Sequence, residues 1–348
     1  MQITGMVLLR AVLLLQVASS PPIRGTVRSA ESGQPLGFSI VTLQPNGGKQ
    51  FTDGSGVFAF TAVKPGPYIL SVRQIGYAPL DTQLVATGDS THLQITLRRL
   101  AIELPPVTIA AEQCTNPGPP DPGNASLRAV FEQLQENARR FTLLADSYPF
   151  RYTLELADRV LTQRGDTGPP ITKRLYFSSQ DKKYHPYAVG RVVERGWGPW
   201  GSPDKTLVIA SAELDDLGNP DFIASHCFGL AGRDTLGGET FIRLDFEPST
   251  RVRSADMAGS AYLDTATYAL RYTTTRLTKP DQSALTDVRA VIFRTRFREI
   301  APGVPLQDSL VAFTTYRFGR PANIQTQRTL DVRFKRPPPG LGALRPEP

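Results

Sequence analysis

The chain is poor in the residues that carry most enzyme chemistry. Among 348 residues there are two cysteines, three histidines, two tryptophans and three methionines. A zinc peptidase site needs two histidines and a carboxylate converging on the metal, usually with a short His-x-x-Glu element. His92, His185 and His226 stand in "HLQI", "HPYA" and "HCFG", and none has glutamate at the required place. A phosphate-binding loop is also missing. "LAGRDTLGG" lacks the Gly-Lys-Ser/Thr ending and leads into an alternating stretch, so a hairpin turn is expected there. No run of 18 apolar residues occurs, which leaves no integral span in the mature chain. The formal charge of +7 comes from scattered basic residues and not from one block, so no nucleic-acid partner is expected. Attraction to an anionic surface such as lipopolysaccharide or phospholipid stays open. No catalytic residue, metal ligand set or cofactor site is assigned.

The chain is rich in punctuation, with 30 prolines and 29 glycines. Residues 1–20, "MQITGMVLLRAVLLLQVASS", place a short apolar run after Arg10 and end it at small residues, the pattern of a secretory signal peptide. Export gives the two cysteines an oxidising compartment, where an even count favours one disulfide, Cys114 to Cys227. His226 adjoins Cys227, but neighbours on a strand point to opposite faces, which argues against a catalytic dyad. Glu213, Asp215 and Asp216 fit no known calcium loop, and exposed charge is the expectation. "GWGPWG" makes Trp197 and Trp200 the candidate ligand contact, against a competing reading as local packing. Asn124-Ala125-Ser126 fits a glycosylation sequon, a pattern common by chance.

From Ile23 to Arg99 turn signals recur about every 8–12 residues between alternating apolar positions, the signature of a sandwich of roughly seven strands. Here "GTVRSAESGQPLGFSIVTL", "TDGSGVFAF" and "PGPYILSVRQIGY" closely resemble the carboxypeptidase regulatory-like domain. The resemblance implies a prealbumin-like β-sandwich, also classed with carbohydrate-binding-like folds. It confers no activity, since the domain is an appendage of certain peptidases. Residues 100–124 read as a Pro/Gly-rich linker. Its "IELPPVTIAAE" looks like the segment that precedes the plug of TonB-dependent receptors, a reading that fails on the length that remains.

Leu127, Val130, Phe131, Leu134, Ala138, Phe141 and Ala145 recur at helical spacing, which predicts one amphipathic helix over 125–146, capped by Asn124 or Ser126. Beyond it the chain alternates again, with Ile242/Leu244/Phe246, Tyr268/Leu270/Tyr272, Val291/Phe293/Phe297 and Phe313/Thr315 assigned to apolar faces. Threonine and arginine fill the opposite positions, as in "VIFRTRFR". This predicts an antiparallel sheet with one wet face. "SHCFGL", "RLDFEP" and "AGSAYLDTATYALR" resemble the carboxy-terminal part of uncharacterised, exported Gram-negative proteins that carry the same first domain. The last phrase is also similar to the lipoprotein-carrier sheet proteins.

The expected fold is therefore mainly β. A seven-stranded sandwich occupies 22–99, a helix plus antiparallel sheet occupies 125–335, and 336–348 form a disordered tail. The expected function is that of a non-enzymatic envelope protein, periplasmic or outer-membrane-associated in a Gram-negative bacterium. It would act as a binding and scaffold module toward an envelope protein, glycan or lipid. The alternatives are a hydrophobic ligand in the carboxy-terminal sheet, or a carbohydrate on the sandwich. A small outer-membrane barrel of eight strands is disfavoured by the helix, the long loops and the proline-rich ending.

Overall fold

The computed structural model describes residues 23–341 except 62, 88, 105–112, 163, 164, 166, 183–186, 198–202 and 286. The expected signal peptide thus lies outside the described residues. Of residues 195–207, only the backbone of the two strand segments is described.

Seven short strands build the first domain: β1 (Ile23–Ser29), β2 (Ile40–Gln44), β3 (Gly48–Phe51), β4 (Val57–Phe60), β5 (Gly66–Arg73), β6 (Leu80–Ala86) and β7 (Thr91–Leu97). They form two sheets, ordered β4-β1-β7 and β3-β2-β5-β6. Val27, Val41, Leu43, Phe58, Phe60, Leu70 and Val72 fill the space between them. The Asp53 side chain fixes one turn by accepting from the backbone N–H groups of Ser55 and Val57, both at 2.9 Å. Such a local carboxylate–amide turn is the reason aspartate and glycine mark hairpins.

Helix α1 (Ala125–Ser147) begins where Asn124 accepts from Leu127 N–H at 3.1 Å. Strands β8 (Phe150–Val160) and β9 (Ile171–Ser178) follow. A crossover carries the hairpin β10 (Val193–Trp197) and β11 (Pro203–Ile209), a 3₁₀ turn (Asp216–Gly218) and the short helix α2 (Pro220–Ser225). Seven more strands meander: β12 (His226–Leu236), β13 (Glu239–Pro248), β14 (Met257–Asp264), β15 (Leu270–Leu277), β16 (Val288–Ala301), β17 (Val304–Tyr316) and β18 (Asn323–Phe334). Their sheet has nine strands in the order β12-β13-β14-β15-β16-β17-β18-β8-β9, with every pairing antiparallel. Its two ends, β12 and β9, do not pair, so the sheet stays open.

The inner face of this sheet is covered by α1 and the crossover. Leu127, Val130, Phe131 and Leu134 meet Ile242, Leu244, Phe246, Leu263 and Phe293 in one core. The opposite, polar side of α1 is covered as well. The sandwich lies against it, with Phe38, Ile40 and Phe51 packed on Leu143 and Leu144, and with Phe150, Ile300, Val304 and Leu306 completing that cluster. Helix α1 is therefore a middle layer between the two domains.

Polar side chains on α1 make this sandwiching specific. Gln133 accepts from Gly76 N–H of the first domain at 2.8 Å. Asn137 donates to Tyr268 C=O at 3.0 Å and accepts from Leu270 N–H at 2.8 Å. Arg140 is fully buried. It donates to the carbonyls of Gly303 at 2.7 Å and Pro302 at 3.2 Å, to Gln74 Oε1 at 3.0 Å, and to Phe38 C=O. The turn that presents two of those carbonyls holds Gly303 at φ 66°, where a Cβ would stand 3.1 Å from Arg140 Nη2. Burial pulls the guanidinium down to about 10, opposed by Glu136 and Glu299, which still leaves it charged at neutral pH. Glu136 lies 3.9 Å from it and is buried; burial raises its carboxyl above the ordinary value despite Arg140 and Arg139.

The linker is tied down as well. Cys114 and Cys227 are disulfide-bonded with Cα atoms 5.5 Å apart, closing a loop of sequence separation 113. Beside the bond, Gly118 N–H donates to His226 C=O and Thr250 N–H to Cys114 C=O, both at 2.9 Å. At the other end, the tail expected to be disordered from residue 336 is seated as far as Leu341. Gly54 N–H donates to Pro339 C=O at 3.3 Å, and Leu341 packs on the interdomain cluster.

Arg140→Met should lower unfolding free energy by about 3–5 kcal/mol in denaturant titration, since it strips a buried charge network of its centre. Because the folded pKa of Glu136 is raised, its favourable contribution is complete below about pH 4.5 and is lost as pH rises through the folded value. Glu136→Gln should flatten that decline in a stability-versus-pH series. Replacing both cysteines by serine should cost about 4–5 kcal/mol in the chain-entropy treatment of so long a loop, read as a lower Tm. An unchanged Tm would remove the bridge from the stability account.

Candidate binding surface

The antiparallel register decides which side chains share the outer face of the nine-stranded sheet, since directly paired residues point the same way. One row runs Tyr272, Arg296, Ser309, Arg328, Glu155 and Arg174, and the next runs Thr274, Arg294, Val311, Thr326, Ala157 and Thr172. A third runs Arg276, Ile292, Phe313, Ile324 and Arg159. Two residues assigned by alternation to the apolar face, Tyr272 and Phe313, thus lie on the outer one. For Tyr272 the cause is an irregularity in the β14–β15 pairing, where Tyr262 opposes Tyr272 but Leu263 opposes Leu270, leaving Arg271 as the extra residue. Such a bulge inverts the alternation beyond it. Phe313 pairs with the exposed Ile292, while its neighbours Leu310 and Ala312 turn inward.

Toward β13 the outer face is neutralised. Arg243 bonds Asp245 at 2.7 Å and Asp234 at 3.1 Å, and Arg276 bonds Glu247 at 2.8 Å. Ion pairs hold the Arg243 guanidinium above its ordinary range, the hydrogen bond it donates to Asp245 being the main cause. Tyr262 is covered there by Phe241, which also packs edge-on to Tyr272.

The inner face carries one polar centre, around His226, which is wholly buried. Its Nδ1 lies 2.8 Å from Phe222 C=O and 3.1 Å from Ser225 Oγ, and its Nε2 lies 2.9 Å from Met257 C=O. The ring stacks on Phe222 at 3.9 Å between centroids. Asp256, 4.0 Å from Nε2, is saturated by Tyr187 O–H at 3.0 Å, Gly190 N–H at 2.9 Å and Met257 N–H at 2.7 Å. Burial, and next the Asp256 charge, push the Tyr187 phenol up. These groups satisfy one another out of reach of solvent, so they lock β12 to β14 and offer no free base. Cys227, on the opposite face, has its sulfur in the disulfide and supplies no thiolate. The two residues adjacent in "SHCF" therefore serve different sides of the strand.

The remaining candidates fall apart as a site. Glu213, Asp215 and Asp216 bring carboxylate oxygens within 4.8 Å of one another. Asp216 is buried, contrary to the expectation of exposed charge, because its Oδ2 accepts from Glu213 N–H at 2.8 Å and forms the turn. Trp197 closes β10, but its side chain, like the whole of Trp200, lies outside the described residues; His185 does too. Two concavities are the best formed. One of about 510 Å³ is lined by Pro45, Asn46, Lys64, Pro65 and Tyr68 at the tip of the sandwich. The other, about 200 Å³, lies beside Arg139 and Asp146 on α1. Neither lies between the apolar stripe of α1 and the sheet, where side chains fill the space that a hydrophobic ligand would need. No sequence pattern marks Gln133 and Arg140, which bond α1 to the sandwich, or Asn137, which bonds it to the sheet.

No helix among the described residues is long and apolar enough to cross a membrane. A search of curated proteins finds no match. Among solved structures, the chain is similar to a LolA superfamily protein from Nitrosomonas europaea, at 10% identity and TM-score 0.33, over 60% of this chain and 94% of that one. It is similar to a DUF1329 family protein from Desulfovibrio piger at 10% identity and TM-score 0.34, over 60% and 93%. A DUF3823 family protein from Bacteroides uniformis matches at 11% identity and TM-score 0.18, over 71% and 91%. The family model named carboxypeptidase regulatory-like domain matches residues 22–98. With its two sheets of three and four strands, the first domain of this chain is a carboxypeptidase regulatory-like domain.

Proposed function

We propose that this chain is a non-enzymatic, exported envelope protein that works as a binding and scaffold module, periplasmic or outer-membrane-associated. The observation that carries the reading is the open nine-stranded sheet. Its inner face is filled by α1 and the crossover, while its outer face presents strands β15 to β9 to solvent, with no element laid over them among the described residues. The buried titratable groups are engaged in holding layers together, as His226 and Asp256 hold β12 to β14. The disulfide fits an oxidising compartment. On this reading the regulatory-like sandwich supports the assembly through α1, and the sheet surface is what meets a partner. Export rests on residues 1–20, read from sequence alone.

Two measurements test it. The full chain, expressed in a Gram-negative host and fractionated, should be recovered from the envelope with Cys114 and Cys227 oxidised; cytoplasmic retention with reduced thiols would contradict export. Purified protein should show no turnover on peptide, glycan and ester substrate panels. Turnover abolished by substituting one defined polar residue would overturn the non-enzymatic reading.

A further inference from the structure

The outer face of the sheet is not uniform in charge. Arg294 and Arg296 on β16, Arg328 on β18 and Arg159 on β8 are all exposed. Among the described residues none of the four has an ion pair or a side-chain hydrogen bond, in contrast to Arg174, Arg243 and Arg276 on the same face. The one acidic residue in their rows, Glu155, is bridged to Arg174 at 2.8 Å. Between the arginines the register places apolar side chains: Ile292 at 42% and Val311 at 38% exposure, with Phe313 and Ile324 half-buried beside them. Strands are spaced about 4.8 Å apart and alternate residues on one face about 7 Å apart. The patch is therefore a broad field of unpaired guanidinium groups around a shallow apolar stripe.

Resting on the binding-module reading above, we infer that this patch docks the protein on an anionic lipid surface, with the four arginines on lipid phosphates and the Ile292–Phe313–Ile324 stripe against the interface. Charge complementarity and geometry both favour this occupant. A guanidinium matches phosphate oxygens through paired donors. Several basic residues held on one face add their attractions to a negatively charged leaflet. Short apolar side chains among them reach only the headgroup boundary, which suits peripheral contact and not insertion. A concave ligand site would need a pocket here, and neither concavity described above lies on this face. The net charge of +7 favours the same partner.

The test is co-sedimentation of the full chain with vesicles of equal parts phosphatidylglycerol and phosphatidylcholine. Wild type should bind, and binding should fall steeply as salt is raised. The variant carrying Arg159→Gln, Arg294→Gln, Arg296→Gln and Arg328→Gln should lose at least tenfold in apparent affinity. A control with Arg174→Gln and Arg276→Gln, the ion-paired arginines of the same face, should change by less than threefold. Ile292→Ser with Val311→Ser should weaken binding severalfold without altering charge. Circular dichroism and Tm identify variants that fail to fold; these surface changes are replaced singly if that occurs. Equal binding to pure phosphatidylcholine, or unchanged binding of the quadruple variant, overturns the proposal. So does heparin binding as tight as vesicle binding, which would assign the patch to a soluble polyanion. Failure here with an envelope location and no turnover leaves the binding-module reading standing; cytoplasmic retention or turnover sinks that reading independently.

Discussion

One guanidinium sets the relation between the two halves of this protein. Arg140 is buried without solvent contact, and a charge in that position is tolerable only if acceptors surround it. Those acceptors come from the sandwich (Phe38 and Gln74) and from the β16–β17 turn (Pro302 and Gly303). The cost of an unpaired buried charge therefore penalises any arrangement that separates the domains. Apolar packing of Phe38 and Phe51 on α1 would stabilise contact but would tolerate sliding. The directional bonds that Gln133 and Arg140 make to the sandwich remove that freedom, while Asn137 fixes α1 on the sheet. Here a polar cluster gives the interface its uniqueness more than its strength, a division seen in other buried networks.

Much of the fold was legible in the residues. Turn chemistry at Asn46-Gly47-Gly48, Asp53-Gly54 and Gly237-Gly238 marks hairpins because those residues adopt backbone angles others resist. The apolar spacing from Leu127 to Ala145 located α1, and Asn124 caps it as its side chain allows. Two kinds of feature were not legible. A polar helix face looks the same whether water or a second domain lies beyond it, so the burial of Gln133, Glu136, Asn137 and Arg140 leaves no trace in the pattern. Alternation also assumes an unbroken pleat. The irregularity at Tyr262/Leu263 moves Tyr272 across the sheet, whereas Phe313 is an apolar residue on the outer face of a regular stretch, which apolarity alone does not reveal.

The same irregularities shape the candidate surface. Pairing shifts occur within β12–β13, β14–β15, β16–β17 and β18–β8, and each adds local bend to a sheet that would otherwise be evenly twisted. The bend wraps the inner face around α1 and spreads the outer one. "VIFRTRFR" predicts arginines on one face of a strand, but which arginines find carboxylates depends on what the register sets near them on the flanking strands. Arg174 meets Glu155 across β8–β9 and Arg276 meets Glu247 across two strands, while Arg294 and Arg296 meet threonine, serine and tyrosine. Charge pairing is a property of register, and register is set by turns and bulges far from the charges.

The disulfide also gives the sheet a direction of growth. At β12 the linker is covalently fastened alongside the edge, and Gly118 N–H already occupies the carbonyl of His226. At β9 the sheet simply stops, with the residues from Ile171 to Tyr176 exposed and, among the described residues, no strand beyond. An edge with free backbone groups can accept another strand, whereas a fastened one cannot. The sheet thus has one margin fastened at its start, at His226 and Cys227, and one margin bare along β9, which makes β9 the readier edge for extension by strand pairing.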